Sequence, residues 1–347
     1  MNFPTIPPIN IVKREEAAAR QYALTKPRGA MGFLEDVSIE IAGMTGKLAP
    51  DLANRSVFLF AADHGIAKEG VSPYPSEVTA QMVFNFLNNG AAINVLTRQA
   101  QASVEIIDIG VNYDFGNHPG MLHRKIARGT ANMLHEPAMT REQAEAAIQV
   151  GMDVLNEAAE NGLQMAAVGE MGIGNTTPAT AITAVLCGID PAEITGRGTG
   201  LDDAGLERKR QLLRQILVHR APHPEDPMDI LCKVGGLEIA GMTGAAIAAA
   251  SHGIPFIMDG VIATAAAALA VELVPDVRNY LIAGHQSGEI AHRYLLERLG
   301  KRPLLSLDMR LGEGTGAALA FHLVDAANNI LRDMATFESA GISDKEA

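Results

Sequence analysis

The chain has 347 residues, 48% of them hydrophobic, and a formal net charge of −12 at pH 7. This length is enough for one large core, or for a large domain together with a small one. The acidic charge and the lack of any basic run interleaved with aromatic residues exclude a nucleic-acid-binding surface.

The cysteines and the apolar segments exclude further classes of protein. Cys187 and Cys232 lie far apart, with no CxxC pair and no His at zinc-finger spacing, so the pattern indicates neither a disulfide framework nor a zinc site. The first residues lack the apolar segment of a secretory leader, and the longest apolar run, 261–274, is too short to span a bilayer. We expect a cytoplasmic protein that does not bind membranes.

One pattern recurs along the chain: a short apolar run, a turn with Gly and a polar residue, and then a helical stretch. Because hydrophobicity in these runs is continuous rather than alternating, they predict strands buried on both faces. The predicted strands are 57–65, 104–110, 165–175, 255–260, 280–289 and 304–314, and the predicted helices are 76–98, 140–161, 202–218, 236–251, 261–273 and 288–299. The alternation predicts a Rossmann-like, doubly wound α/β fold with a mainly parallel sheet.

Three helix starts carry capping signals. Thr140 with Gln143 three residues later has the sequence of a capping box. Thr177 and Asp226 each stand directly before a Pro, which is favoured at the first helical position.

The two chain ends do not follow the strand–helix alternation. Residues 1–40 and the long helix after Gly316 predict a small helical domain built from both termini, which we place at 1–40 plus 305–347. The large domain is then 41–304. The segment 112–136 is rich in Gly, His and Arg and predicts a functional or flexible loop.

Polar side chains follow the predicted strands at the ends where ligands bind in open α/β sheets. They are Asp63, His64, Asp108, Glu170, Asp259, His285, Gln286, Ser287 and Glu313. Asp and Gly are also ordinary turn formers, so a purely structural role stays open for each turn, and we interpret His64 as a structural hydrogen-bonding residue. The ten histidines show no metal-binding spacing, and we expect no metal site.

Two glycine-rich segments are typical of anion binding. In GEMGIGNTTP, residues 169–178, the glycines allow a ligand to approach the backbone where a helix begins. The segment lacks the Lys of a P-loop, which disfavours nucleoside triphosphates. GRGTGLDD, residues 196–203, is followed by the basic trio 208–210, which is either a second cradle or a solvated helix face. Ser287 in HQSGE either binds a phosphate or caps a helix.

The segment GEGTGAA, residues 312–318, formally matches the GxGxxA dinucleotide fingerprint, which favours a nucleotide-dependent oxidoreductase. The fingerprint requires a following strand that ends in an acidic residue, but only one long helix follows here. We therefore interpret the segment as a support for Glu313, whose apolar neighbours raise its pKa while the helix dipole favours its ionised form. A surface role for Glu313 remains the alternative.

Five colinear motifs together resemble one known family. ADHGI (62–66), GEMGIGNTTPAT (169–180), TGRGTGLDDAGLERK (195–209), HQSGE (285–289) and LDMRLGEGTGAALA (307–320) are similar to the nicotinate-nucleotide–dimethylbenzimidazole phosphoribosyltransferases of cobalamin biosynthesis. The similarity extends from 26–35 to the last helix. It implies transfer of ribose 5-phosphate from nicotinate mononucleotide to 5,6-dimethylbenzimidazole, giving α-ribazole 5′-phosphate and nicotinate with inversion at the anomeric carbon.

The resemblance also implies a homodimer, no cofactor, no metal, and a set of site residues. Glu313 is the expected general base and Glu170 a second catalytic residue. The phosphate and ribose site is expected at Gly172, Gly174, Asn175, Gly198, Lys209 and Ser287, and the aromatic-base site at Ser76, Gln81, Phe84, Met171 and Leu311. The chain departs from the family at Ala30–Met31, where a Ser is frequent, so the preferred base stays open. A nucleotide sensor without catalysis and an oxidoreductase are the alternative functions.

Overall fold

The computed structural model describes residues 1–343. Within them, seven strands form one parallel sheet in the order β3-β2-β1-β4-β5-β6-β7. The strands are β1 (Arg55–Ala62), β2 (Ser103–Gly110), β3 (Leu122–His123), β4 (Met165–Met171), β5 (Phe256–Met258), β6 (Leu281–Gln286) and β7 (Pro303–Ser306). The first six follow the strand order of a Rossmann sheet, so the predicted fold class is confirmed.

Fourteen α-helices lie within the described residues. They are α1 (Ile11–Ala23), α2 (Phe33–Thr45), α3 (Glu77–Leu87), α4 (Ala92–Gln99), α5 (Arg141–Glu160), α6 (Thr176–Cys187), α7 (Pro191–Ile194), α8 (Asp203–Arg220), α9 (Pro227–Val234), α10 (Leu237–Ser251), α11 (Val261–Leu273), α12 (Ile290–Leu299), α13 (Thr315–Asp333) and α14 (Phe337–Ala340). None of them is long and apolar enough to cross a membrane.

Helices cover both faces of the sheet. Side chains alternate between the two faces of a strand, so Val57 and Phe60 of β1 point to opposite sides. Phe60 packs against Gly241 of α10, whereas Val57 packs against Gly314 at the start of α13. This two-sided burial explains why β1 is buried along its whole length and why its sequence is continuously apolar.

The predicted strands are correct in position, but five of the six extend too far at their carboxyl ends, and only 104–110 ends where β2 ends. The segments after β1, β4, β6 and β7 turn into loops, where Gly and polar residues follow the strands. The predicted helix 76–98 is two helices, α3 and α4, separated at Asn89 and Gly90. Asn89 has φ +59°, a left-handed conformation that ends a helix.

Two of the three predicted caps are confirmed. Thr140 and Gln143 form a capping box at α5, and the Asp226 carboxylate accepts two backbone N–H groups at α9. The cap at Thr177 is wrong, because α6 begins at Thr176, two residues before the predicted start at Pro178, and Asn175 occupies the cap position. Pro178 is tolerated because the third helical residue has no N–H partner inside the helix.

Residues from both chain ends pack together. Ala17 of α1, Ala42 of α2 and Leu331 near the end of α13 form a small buried cluster, and Leu24 pairs with Thr336 in an antiparallel bridge. The first part of α13, however, packs on the sheet through β4 and β6. The division into 41–304 and 1–40 plus 305–347 stays a prediction, and 344–347 lie outside the described residues.

Candidate active site

A cavity of about 620 Å³ lies at the carboxyl ends of β4, β5 and β6, beside the loop that follows β7. Its polar lining includes Glu170, Asn175, Asp259, His285, Ser287, Arg310 and Glu313. Its apolar lining includes Tyr74, Val78, Met82, Met171, Ile173, Val261, Ile262 and Leu311. An apolar pocket with a few convergent polar groups is typical of a site for a small aromatic ligand.

Glu313 lies in a turn whose backbone is left-handed over three residues. Its φ is +63°, between Gly312 at +86° and Gly314 at +85°. The turn lies so close to β4 that a Cβ on Gly169 would overlap the Glu313 carbonyl. A non-glycine residue with positive φ stores strain, and such residues are frequent at functional sites. The glycines thus set the position of Glu313.

The Glu313 carboxylate is poised to exchange a proton near neutral pH. Its side chain is only 5% exposed, and its Oε2 atom has no hydrogen-bond partner among the described residues. Burial raises the pKa of Glu313 to about 7, and the negative charge of Asp259 adds to the rise, against the opposing backbone N–H of Ile93. The predicted rise from burial therefore outweighs the predicted effect of the helix dipole.

Glu170 ends β4 and lies across the Glu313 turn. The Asn175 side-chain amide donates a hydrogen bond to its Oε2 atom, and its Oε1 atom packs against Gly312, where a Cβ would overlap it. Burial raises the pKa of Glu170 to about 8, against that hydrogen bond, and the charges of Glu238, Asp259 and Glu313 add to the rise. Glu170 therefore carries a proton at neutral pH, whereas Glu313 is close to half ionised.

The opposite end of the cavity is suited to an anion. Lys209 of α8 is buried, and its Nζ donates to Thr176 Oγ1 at 2.7 Å, at the first residue of α6. The loop at Gly198, with φ +55°, lies directly above this contact, and Arg310 Nη1 donates to the Gly198 carbonyl at 3.0 Å. Burial lowers the pKa of Lys209 to about 8, with Glu289 opposing the change. A helix N-terminus with two cations beside it attracts a phosphate.

Ser287 stands near this end and is held by its backbone. Its N–H donates to His292 Nδ1 at 2.8 Å, and His292 Nε2 bonds to Thr264 Oγ1 at 2.9 Å. Burial lowers the pKa of His292 to about 3, so its ring is neutral and accepts from Ser287. The Ser287 hydroxyl accepts from the N–H of Glu289 at 3.2 Å, but Glu289 itself occupies the cap position of α12, so Ser287 does not cap this helix.

Most of the predicted site residues meet in this cavity. Eight line it: Glu313, Glu170, Gly172, Asn175, Gly198, Ser287, Met171 and Leu311. Gly174 and Lys209 lie behind it, Gly174 in the turn that leads into α6 and Lys209 beneath Thr176.

Three residues predicted for the aromatic-base site lie elsewhere. Ser76, Gln81 and Phe84 line a second cavity, of about 810 Å³, at the ends of β1 and β2. The reason is the helical period of α3: Val78 and Met82, four residues apart, share the face toward the first cavity. An apolar pair at that spacing is the sequence signal for the face of α3 that lines the first cavity.

The site also includes residues that the sequence did not assign to it. Asp259, His285 and Arg310 line the cavity, and the sequence marks the first two only as polar residues at strand ends. His64 forms a buried hydrogen bond to Glu238 at 2.8 Å, a structural contact of the kind the sequence predicts. Among residues 1–343, no three His, Cys, Asp or Glu side chains are arranged to hold a metal ion.

Comparisons with known proteins agree with the geometry. The family model DBI_PRT, described as phosphoribosyltransferase, matches residues 6–342. A nicotinate-nucleotide–dimethylbenzimidazole phosphoribosyltransferase of Geobacter sulfurreducens is 50% identical over 337 residues, or 97% of this chain and 96% of that protein. The protein of that name from Chloroflexus aggregans is 51% identical over 341 residues, or 98% and 97%.

A solved structure shows the same fold. The crystal structure of CobT from Thermus thermophilus matches with a TM-score of 0.93 and 46% identity, covering 96% of this chain and 100% of that chain. The resemblance found from the five motifs is confirmed. This chain belongs to the DBI_PRT family of phosphoribosyltransferases.

Proposed function

We propose that this protein transfers the 5-phosphoribosyl group of nicotinate mononucleotide to 5,6-dimethylbenzimidazole or a related base. The products are α-ribazole 5′-phosphate and nicotinate, and the reaction belongs to the assembly of the cobalamin nucleotide loop. The relatives from Geobacter sulfurreducens and Chloroflexus aggregans carry the name of this activity. The observation that carries the proposal is the buried Glu313 carboxylate, with a pKa of about 7, facing an apolar slot.

The proposed chemistry needs a base but little activation of the leaving group. In nicotinate mononucleotide the pyridine nitrogen is positively charged, so breaking its bond to the ribose C1 returns the electron pair to that nitrogen. A lone pair on one ring nitrogen of the acceptor forms the new bond to C1 from the opposite face, which inverts the configuration. Glu313 takes the proton from the other ring nitrogen. A well-placed base of this kind contributes about 10²–10⁴-fold in rate.

Glu170 has a different proposed role, because of its proton. With a pKa of about 8 it is neutral at pH 7, so it is poorly suited to stabilise positive charge on the ribose. Its hydrogen bond from Asn175 fixes one carboxyl oxygen, and the other lies against Gly312, which lines the cavity as Glu170 does. We assign Glu170 to orienting a ligand by donating or accepting a hydrogen bond there.

The two ends of the cavity differ in polarity, which supports a separate place for each substrate. The phosphate fits the end at Thr176, Gly198 and Arg310, with Lys209 supplying charge from beneath. The acceptor base fits the apolar end, between α3 and the Glu313 turn. Holding the two rings in line across C1 supplies much of the remaining rate enhancement.

The direct test is a product analysis. The protein is incubated with nicotinate mononucleotide and a panel of benzimidazoles, purines and phenols, and the products are identified by mass spectrometry. We expect free nicotinate and an α-linked ribosyl phosphate of the benzimidazole. Binding of the nucleotide without release of nicotinate would instead identify a sensor. Binding of reduced nicotinamide cofactor, followed by fluorescence, would favour an oxidoreductase.

We also propose that the protein is a homodimer in the cytoplasm, as the family resemblance implies. Sedimentation velocity measures the mass directly. A species of 36.7 kDa at all concentrations would contradict the dimer, since that is the mass of one chain.

A further inference from the structure

The turn that carries Glu313 has an anchor outside its own segment. Asp259, directly after β5, is 2% exposed and sends its carboxylate into the start of α13. Its Oδ1 atom accepts the backbone N–H groups of Gly316 at 2.7 Å and Ala317 at 3.0 Å. Its Oδ2 atom accepts the N–H of Gly314 at 3.3 Å.

This contact replaces the cap that α13 lacks. The helix has Gly314 at its cap position, and Gly has no side chain to accept the first N–H groups. A carboxylate at a helix N-terminus is favoured both by hydrogen bonds and by the helix dipole. Asp259 supplies both, although it is distant in the chain. The N–H of Gly314 that it accepts directly follows Glu313, whose backbone is strained.

We propose that Asp259 is a positioning residue, which holds the Glu313 turn in its reactive geometry through the three backbone N–H groups. The inference rests on the proposed function, because it assumes that Glu313 is the base. His285 supports the arrangement from β6: its Nε2 lies 3.6 Å from Asp259 Oδ1, and its ring packs on Gly316, where a Cβ would overlap it.

The negative charge of Asp259 also affects the pKa of Glu313, which gives the positioning role a second measurable consequence. Titratable and charged groups from several elements line the cavity with Glu313: Asp259 after β5, Glu170 on β4, His285 on β6 and Arg310 before the turn. Of these, the charge of Asp259 raises the pKa of Glu313. Burial raises the pKa of Asp259, while His285 and the backbone N–H groups oppose that rise. We take Asp259 as an anion, since its three donors all favour that form.

The test is Asp259→Asn, with Asp226→Asn as the matched control. Asp226 also accepts two backbone N–H groups at a helix start, but at α9, away from the cavity. The new amide keeps one acceptor oxygen and directs an NH₂ group at a backbone N–H. We expect kcat to fall about 10–10²-fold by displacement of the base. The KM for nicotinate mononucleotide stays within about threefold, because the phosphate end is untouched.

The pH profile separates this role from simple stability. Removing the negative charge lowers the pKa of Glu313, so the acid limb of kcat moves to lower pH in Asp259→Asn and stays in place in Asp226→Asn. Activity is expressed per nucleotide-binding site, so that unfolded molecules do not count. If Asp259→Asn is unstable, Asp259→Ser serves instead, because it also removes the charge and its shorter side chain no longer reaches the three N–H groups.

Two results would overturn the proposal. One is an unchanged kcat and acid limb in Asp259→Asn, even with a lowered melting temperature. The other is a crystal structure of that variant in which the Glu313 carboxylate has not moved. That result would count against the positioning role whether or not the protein catalyses the proposed transfer. A wild-type protein that releases no nicotinate would count against the proposed function instead.

Discussion

Replacement of Glu313 by Gln tests the role of the carboxylate at nearly constant shape. The side chain is 5% exposed, so Gln occupies the same space, but it cannot take a proton. We expect kcat to fall at least ~10²-fold, the lower end of the contribution of a general base. Binding of nicotinate mononucleotide, measured by calorimetry, should persist.

The wild-type pH profile follows from the same residue. With a pKa of about 7, Glu313 is about 90% ionised at pH 8 and about 10% at pH 6. The wild-type kcat at saturating acceptor should therefore fall about fivefold between pH 7 and pH 6 and about tenfold for each further pH unit, whereas the residual rate of Glu313→Gln should not show this fall.

Stability provides a check that does not depend on activity. A carboxyl whose pKa rises from 4.5 to about 7 on folding stabilises the protein only while it is protonated, so this stability is lost as the pH rises between those values. The difference is at most about 3 kcal/mol. Glu313→Gln removes this pH dependence. Its buried amide lowers stability by about 1–3 kcal/mol relative to the protonated wild type, so the two proteins become more alike in stability as the pH rises.

The measurement is the free energy of unfolding in urea at pH 5 and pH 8 for both proteins. We expect the wild type to lose more stability than Glu313→Gln between these two values. Equal losses, together with a kcat within about threefold of wild type, would refute the reasoning that places a buried base at this position.

Three further substitutions test the parts of the cavity. Lys209→Met should raise the KM for nicotinate mononucleotide about 10–10²-fold, and wild-type affinity should weaken above pH 8 as Lys209 loses its proton, which calorimetry at pH 7 and pH 9 would measure. Val78→Trp should raise the KM of the acceptor base, whereas Gln81→Trp on the other face of α3 should not; equal effects in steady-state assays would place the base in the second cavity. Gly169→Ala should lower stability by about 1–3 kcal/mol, seen in urea unfolding, and reduce kcat, because the new Cβ overlaps the Glu313 backbone.

Local patterns in the sequence were sufficient for the fold class and for much of the site. Continuous apolar runs predicted parallel strands because a strand buried on both faces leaves no polar side to alternate with. The ends of such strands lie at one edge of the sheet, which is why Glu170, Ser287 and Glu313, more than a hundred residues apart at the extremes, line one cavity.

Which face of a helix meets the cavity depended on the tertiary structure. Ser76, Gln81 and Phe84 lie within one turn or two of Val78 and Met82, and only the docking of α3 on the sheet decides which set faces which cavity. The break at Asn89 is similar, since Asn tolerates a left-handed conformation but does not require it.

Long-range contacts decided the rest. The sequence by itself determined that a glutamate stands in a glycine-rich turn after the last strand, because glycine spacing is a local property. Its raised pKa, the proton on Glu170, and the anchoring of the turn by Asp259 were decided by the tertiary structure. They depend on burial, on neighbouring carboxylates and on backbone N–H groups from segments distant in the chain, and a single sequence does not show which segments those are.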